Sequence, residues 1–376
     1  MNYGFRRYSE QSGSRVDRFI LATFVYMKWF FAIVFFSLVF AGITSCEEEK
    51  EVTETKITAS NIDSLIAAHP DSVPLLIWRG EYRLKEYQHN LAMQDAAKAY
   101  RMDKSNLKAK VLFADVLINR AERSPQDVSN AQSIFMDVLK KDKKNLRALV
   151  GVAATYTFQQ DFEKSFDYLN RALRIDRHYK YAYVLKGTNY MAMGRMDDAK
   201  SSYETAVQQD PNFYEGYFFL ANIYEAEGNP QCVQYYQNAL ELRPHSQEIR
   251  YKLAYAQQMF DKIEDALSNY RVLAKDTMDF YSNRGYFHQG HIHQFVNADV
   301  DSAIHYYNKA LQVEPRHVES WHNLGTCYDF IGNKTKALQS FAKAVKYNPE
   351  FTLSQEYADS IRLLPANDRR PKQTQE

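Results

Sequence analysis

Three cysteines, thirteen glycines and a net charge of +1 in 376 residues set the first limits on this chain. So few cysteines cannot supply the disulfide framework of a small secreted domain. A charge balance this even gives no overall electrostatic footprint for nucleic acid. Sparse glycine leaves no phosphate-cradling loop. The sequence also lacks a Cys-x-x-Cys pair, a His-Glu-x-x-His helix and a nucleophile elbow, so no cofactor and no catalytic residue is expected.

His288, His291 and His293 form the one cluster that resembles a ligand set. His288 and His291 are three apart and share a helix face, but His293 points elsewhere and no carboxylate or thiol completes the set. They read as structural histidines, with a metal-binding protein the weaker alternative.

What the chain has in abundance is aromatics, 28 Tyr and 23 Phe. It also has one apolar run, from Trp29 to Phe40, preceded by Met27-Lys28 and followed by Ala41-Gly42-Ile43-Thr44-Ser45-Cys46. A basic residue, a short apolar stretch and small residues before a cut site are the parts of a secretory signal. Ile-Thr-Ser-Cys resembles the bacterial lipobox, which implies cleavage before Cys46 and lipidation of that cysteine, palmitate included. Residues 27–45 are then the signal peptide, 1–26 an over-extended start, and 46–56 a charged tether. The acidic run after Cys46 resembles the surface-export signal of Bacteroidetes lipoproteins. The expected location is the outer membrane, facing the periplasm or the cell surface. The alternative is a single transmembrane anchor from Phe19 to Thr44, which Lys28 interrupts.

From Ser72 onward the sequence repeats itself about every 34 residues. Near the end, Trp321, Leu324, Gly325, Tyr328, Gly332, Ala337, Phe341, Ala344 and Pro349 recur at fixed spacing. Earlier copies keep the skeleton: a small residue (Ala199, Cys232, Ala266, Ala303), an aromatic four later (Tyr203, Tyr236, Tyr270, Tyr307) and a small or apolar residue three beyond that. Positions i, i+4 and i+7 share one helix face. Gly80, Gly187, Gly290 and Gly325 on the first helix let the two helices of a pair approach closely, and Pro211, Pro244, Pro315 and Pro349 end helices.

This pattern resembles the tetratricopeptide repeat over about 280 residues. The resemblance implies an all-α, right-handed helix-turn-helix solenoid of about eight repeats over 73–351. A short helix lies within 57–72, a capping helix over 352–364, and a polar tail over 365–376. Two steps are long, 39 residues from Ala92 to Ala131 and 37 from Ala266 to Ala303. The extra residues are expected in turns at 123–130 and 295–299. Cys232 and Cys327 fall about three repeats apart, roughly 30 Å at helix-packing distances, too far for a disulfide, and read as core residues.

The resemblance further implies a concave groove lined by the second, fifth, ninth and twelfth positions of each first helix. Here these are Tyr181, Val184 and Thr188; Phe218 and Asn222; Tyr251, Tyr255 and Gln258; Phe287 and His291; and His322 and Thr326. Aromatic anchors with amide and imidazole groups suit an extended peptide or a helix. The chaperone carboxylate clamp of that family needs lysine at the fifth position and asparagine at the ninth, and only Asn222 fits. The implied role is a lipid-anchored, non-enzymatic envelope adaptor for protein or peptide partners of unknown identity, with no nucleic-acid partner. A structural component of a larger complex, working through repeat edges, is the alternative.

Overall fold

The computed structural model describes residues 57–120, 122–275 and 280–363, and among these it contains eighteen α-helices and no strand. The expected signal peptide (27–45), Cys46, the expected tether (46–56) and the expected polar tail (365–376) lie outside the described residues. Among the described residues no helix is long and apolar enough to cross a membrane.

The helices fall into two compact units. The first, ending at Pro211, opens with α1 (Ile62–Ala68) and continues in four helix pairs. These are α2 (Val73–Lys85) with α3 (His89–Met102), α4 (Leu107–Asn119) with α5 (Pro125–Lys141), α6 (Leu146–Phe158) with α7 (Phe162–Ile175), and α8 (Lys180–Ala192) with α9 (Met196–Gln209).

The second unit, from Asn212, holds another four pairs. These are α10 (Tyr214–Ala226) with α11 (Gln231–Leu242), α12 (Gln247–Met259) with α13 (Ile263–Leu273), α14 (Phe280–Phe295) with α15 (Val300–Val313), and α16 (Val318–Phe330) with α17 (Lys334–Tyr347). The last helix, α18 (Thr352–Leu363), packs on α17.

Helix ends follow local chemistry. Pro211, Pro244, Pro315 and Pro349 each stand two residues beyond a helix end. Asn106 and Asn145 cap α4 and α6 by accepting from the amides of Ala109 and Ala148 at 3.1 and 3.0 Å. In seven of the eight pairs the turn contains one left-handed residue: glycine at Gly194, Gly228 and Gly332, but Tyr87, Gln160, Asp261 and Ala298 elsewhere.

The long second repeat departs from expectation. Residues 125–130 are the first turns of a seventeen-residue α5, not part of a loop. Ser124 and Asp127 form a reciprocal capping box with Pro125 at the first turn, a strong start signal. The turn itself is short, 120–124. In the seventh repeat the turn is 296–299. Two of its three extra residues fall earlier, since Ala266 to Gly290 spans 24 residues where other repeats have 22.

The cores repeat as the helices do. In every pair a small side chain on the second helix is fully enclosed, and Phe135, Tyr203, Tyr236, Tyr270, Tyr307 and Phe341 are among the largest buried groups. A Cβ built on Gly187 would stand 2.7 Å from the Tyr203 ring, and one on Gly325 would stand 2.7 Å from Phe341. Close approach of the paired helices therefore depends on the missing side chain. Cys232 and Cys327 are buried free thiols, and burial pushes them up to about 11 and about 12.

Candidate functional site

The first helices of each unit carry the groove positions, and the two units treat them differently. In the first unit, Tyr181, Val184 and Thr188 are buried. Tyr181 packs edge-on against Tyr179, and Thr188 lies 3.3 Å from the Tyr203 hydroxyl. These three side chains are packing groups here and offer no accessible surface, because the neighbouring helices close over them. The same positions one to three repeats earlier hold an ion-pair ladder. Arg147 pairs with Asp115 at 2.7 Å and also with Glu81, tying α6, α4 and α2 together.

In the second unit the wall is aromatic. Tyr251 on α12 places its hydroxyl 3.3 Å from His288 Nε2 on α14. The His288 ring stacks on Tyr270 at 4.8 Å and 4°, and Tyr255 meets it edge-on at 5.9 Å. Phe287 contacts His317 at 5.0 Å and Tyr307 at 5.9 Å. Burial in this apolar stack holds the His288 imidazole neutral, down at about 3, with smaller contributions from His291, Arg284 and His317. His288 is thus a packing histidine, and among the described residues no group of three or more His, Cys, Asp or Glu side chains could hold a metal ion.

Polar groove residues are largely occupied. Gln258 accepts from the Tyr270 hydroxyl at 3.0 Å, and its amide nitrogen lies 3.3 Å from His291 Nδ1. Asn222 accepts from the Tyr236 hydroxyl at 2.9 Å and donates to the Phe218 carbonyl at 2.8 Å. One repeat beyond Gln258, the Tyr307 hydroxyl donates to Gln294 at 2.7 Å, and Gln294 in turn donates to Thr326 at 2.8 Å. Each buried tyrosine needs an acceptor, and the first helix supplies it. Phe218 and His322 are buried too. His322 sits among Phe341, Phe351 and Tyr357, with its Nδ1 2.9 Å from Ser354 Oγ, so it seats α18.

What remains accessible is a row at the C-terminal ends of α12, α14 and α16. Tyr255 is 37% exposed and Met259, one turn on, 42%; Phe295, one turn beyond His291, is 55% and Phe330, one turn beyond Thr326, is 63%. Met259, Phe295 and Phe330 occupy equivalent repeat positions, and the Gln258–His291 and Gln294–Thr326 contacts hold their helices in register. His291 and Phe295 touch at 4.7 Å. The groove positions read from sequence omit Met259, Phe295 and Phe330. Their four-residue offset from Tyr255, His291 and Thr326 is the signal that marks them as sharing the same face.

Comparison with known proteins agrees with the helix-pair fold. Tetratricopeptide-repeat family models match residues 146–179, 181–213 and 306–339. A stretch of 111 residues is 26% identical to protein bimA of Emericella nidulans, covering 29% of this chain and 13% of that relative. The fold is similar to that of a tetratricopeptide-repeat protein from Cytophaga hutchinsonii, with TM-score 0.53, 17% identity, and coverage of 65% of this chain and 98% of that one. It is also similar to the structure of the APC/C hetero-tetramer Cut9-Hcn1, with TM-score 0.52, 16% identity, 80% of this chain and 58% of that one. The chain therefore spans a small fraction of the curated relative and just over half of the Cut9-Hcn1 chain it matches.

Proposed function

We propose that this chain is a scaffold that binds partner polypeptides through the second unit, held at a bacterial outer membrane by lipid on Cys46. The observation that supports binding is the row Tyr255, Met259, Phe295 and Phe330, large apolar side chains left in solvent beside a wall of packed aromatics. Repeat proteins bury apolar faces between neighbours. A row at equivalent positions in three successive repeats is a surface that a partner side chain can cover. Rigid aromatics lose little entropy on contact and supply hot-spot energy. The occupied glutamines and asparagine fix the wall, so affinity rests on the apolar row.

The lipobox-like Ile43-Thr44-Ser45-Cys46 supports the anchor. Several acyl chains on one residue hold a soluble domain firmly, whereas a single chain is marginal. Binding is the proposed role.

The test is capture of partners from envelope extracts by the wild type and by the Phe295→Ala/Phe330→Ala variant. Loss of the captured proteins with unchanged helical circular dichroism is the expected result. Full capture by the variant would remove the row from the account and favour a structural component working through other surfaces.

A further inference from the structure

Although the whole chain is nearly neutral, the first unit is charge-polarised. Consecutive helix pairs are joined by turns at 103–106, 142–145 and 176–179, all on one edge of that unit. Exposed Arg101, Lys140, Lys141 and Arg174 in the last turns of α3, α5 and α7 are accounted for by the negative ends of those helices. Exposed Lys104, Lys108, Lys143, Lys144 and Arg177 are not. They stand just before or within the first turns of α4, α6 and α8, where a helix dipole disfavours cations, and none of these helices has an acidic residue in its first turn.

The aspartates of these turns fold back on the turns themselves. Asp103 accepts from the Ser105 amide at 2.8 Å, Asp142 from the Lys144 amide at 3.0 Å and Asp176 from the His178 amide at 2.8 Å. Asp137, one turn back on α5, is taken by Lys110. The edge therefore presents an excess of positive charge.

We propose that this edge docks on an anionic phospholipid surface. The choice of a bilayer rests on the anchored reading above. Only ten residues, 47–56, separate Cys46 from the described chain, a reach of at most about 40 Å, so an anchored chain keeps its first unit beside the headgroups. Charge complementarity suits such a layer. Four of the five unexplained cations are lysines, point charges without the fork of arginine, spread along three turns instead of converging on one anion. A basic patch beside a lipid anchor strengthens membrane residence.

The experiment is flotation of the full chain carrying Cys46→Ser with phosphatidylethanolamine vesicles containing either phosphatidylglycerol or phosphatidylcholine. The expected result is preference for the phosphatidylglycerol vesicles, lost at high salt. Lys104→Gln/Lys143→Gln/Lys144→Gln should weaken that partition on the order of a hundred-fold, at about five-fold per charge near an anionic surface. A control, Lys262→Gln/Arg316→Gln/Lys346→Gln, removes the same charge from exposed sites in the second unit and should leave the preference intact. Equal partition into both vesicles, equal loss in the control, or binding of polyglutamate or duplex DNA without vesicle preference overturns the proposal. The mass of the Cys46 peptide from cells tests the anchor separately. An unmodified cysteine there would remove the anchor and leave the vesicle comparison to stand on its own.

Discussion

The hydroxyl of Tyr270, enclosed between α12 and α14, donates to Gln258 Oε1 at 3.0 Å. A residue that faces the groove by its repeat position is thus also the acceptor for a buried tyrosine. Gln258→Leu should destabilise the second unit by about 1–3 kcal/mol, because it strands the hydroxyl. Adding Tyr270→Phe should recover most of that loss. Denaturant titration of the two variants measures both. No recovery in the double variant would show that Gln258 acts by packing and not by its hydrogen bond.

Gly187 stands where a Cβ would lie 2.7 Å from the Tyr203 ring. Gly187→Ala should cost about 1–3 kcal/mol by overpacking. Gly187→Leu should unfold the neighbouring helices while distant repeats keep their helix, since repeats contact only their neighbours. Hydrogen exchange resolved along the chain reads this. Complete, all-or-none loss of protection in Gly187→Leu would contradict quasi-independent repeats.

The turns offer the opposite change. Gln160 has a left-handed backbone at φ 59°, where a Cβ costs roughly 1–2 kcal/mol. Gln160→Gly should raise the stability of the first unit by about 1 kcal/mol, after the added freedom of the unfolded chain is subtracted. A lower thermal midpoint for this variant would show that the glutamine side chain holds the turn.

Acid should weaken the second unit. Burial lowers His288 to about 3 and His322 to about 4 from an unfolded value of 6.5. Between those limits the unfolded chain binds protons that the folded chain does not. Stability is therefore intact above pH 6.5 and falls as pH drops toward 4, by up to about 1.4 kcal/mol per pH unit for each histidine. His288→Phe should flatten the curve measured by denaturant midpoint against pH. An unchanged slope would place the acid sensitivity elsewhere.

The repeat is legible because most copies set a small residue, an aromatic and a second small or apolar residue on one helix face, with Ala96 and Leu169 replacing the aromatic in the first and third. Those side chains are the enclosed ones, as at Ala199, Tyr203 and Ala206. The 39-residue step alone does not locate the start of α5: the expected turn at 123–130 gives way to helix from Pro125, which the capping box of Ser124 and Asp127 marks. The groove was legible only in part. Repeat position says which way a side chain points, whereas Tyr181, Phe218 and His322 are covered by packing from neighbouring helices and α18, a tertiary effect. The basic edge is invisible in a net charge of +1 and appears once the turns of the first unit fall on one side.

The central claim is that the apolar row of the second unit contacts a partner polypeptide. Photocrosslinking in cells from a probe replacing Phe295, set against a probe replacing Gln312 on the exposed face of α15, tests it most directly. The account predicts one dominant protein adduct from position 295 and none from 312. Adducts of equal strength from both positions, or none from 295, would contradict it.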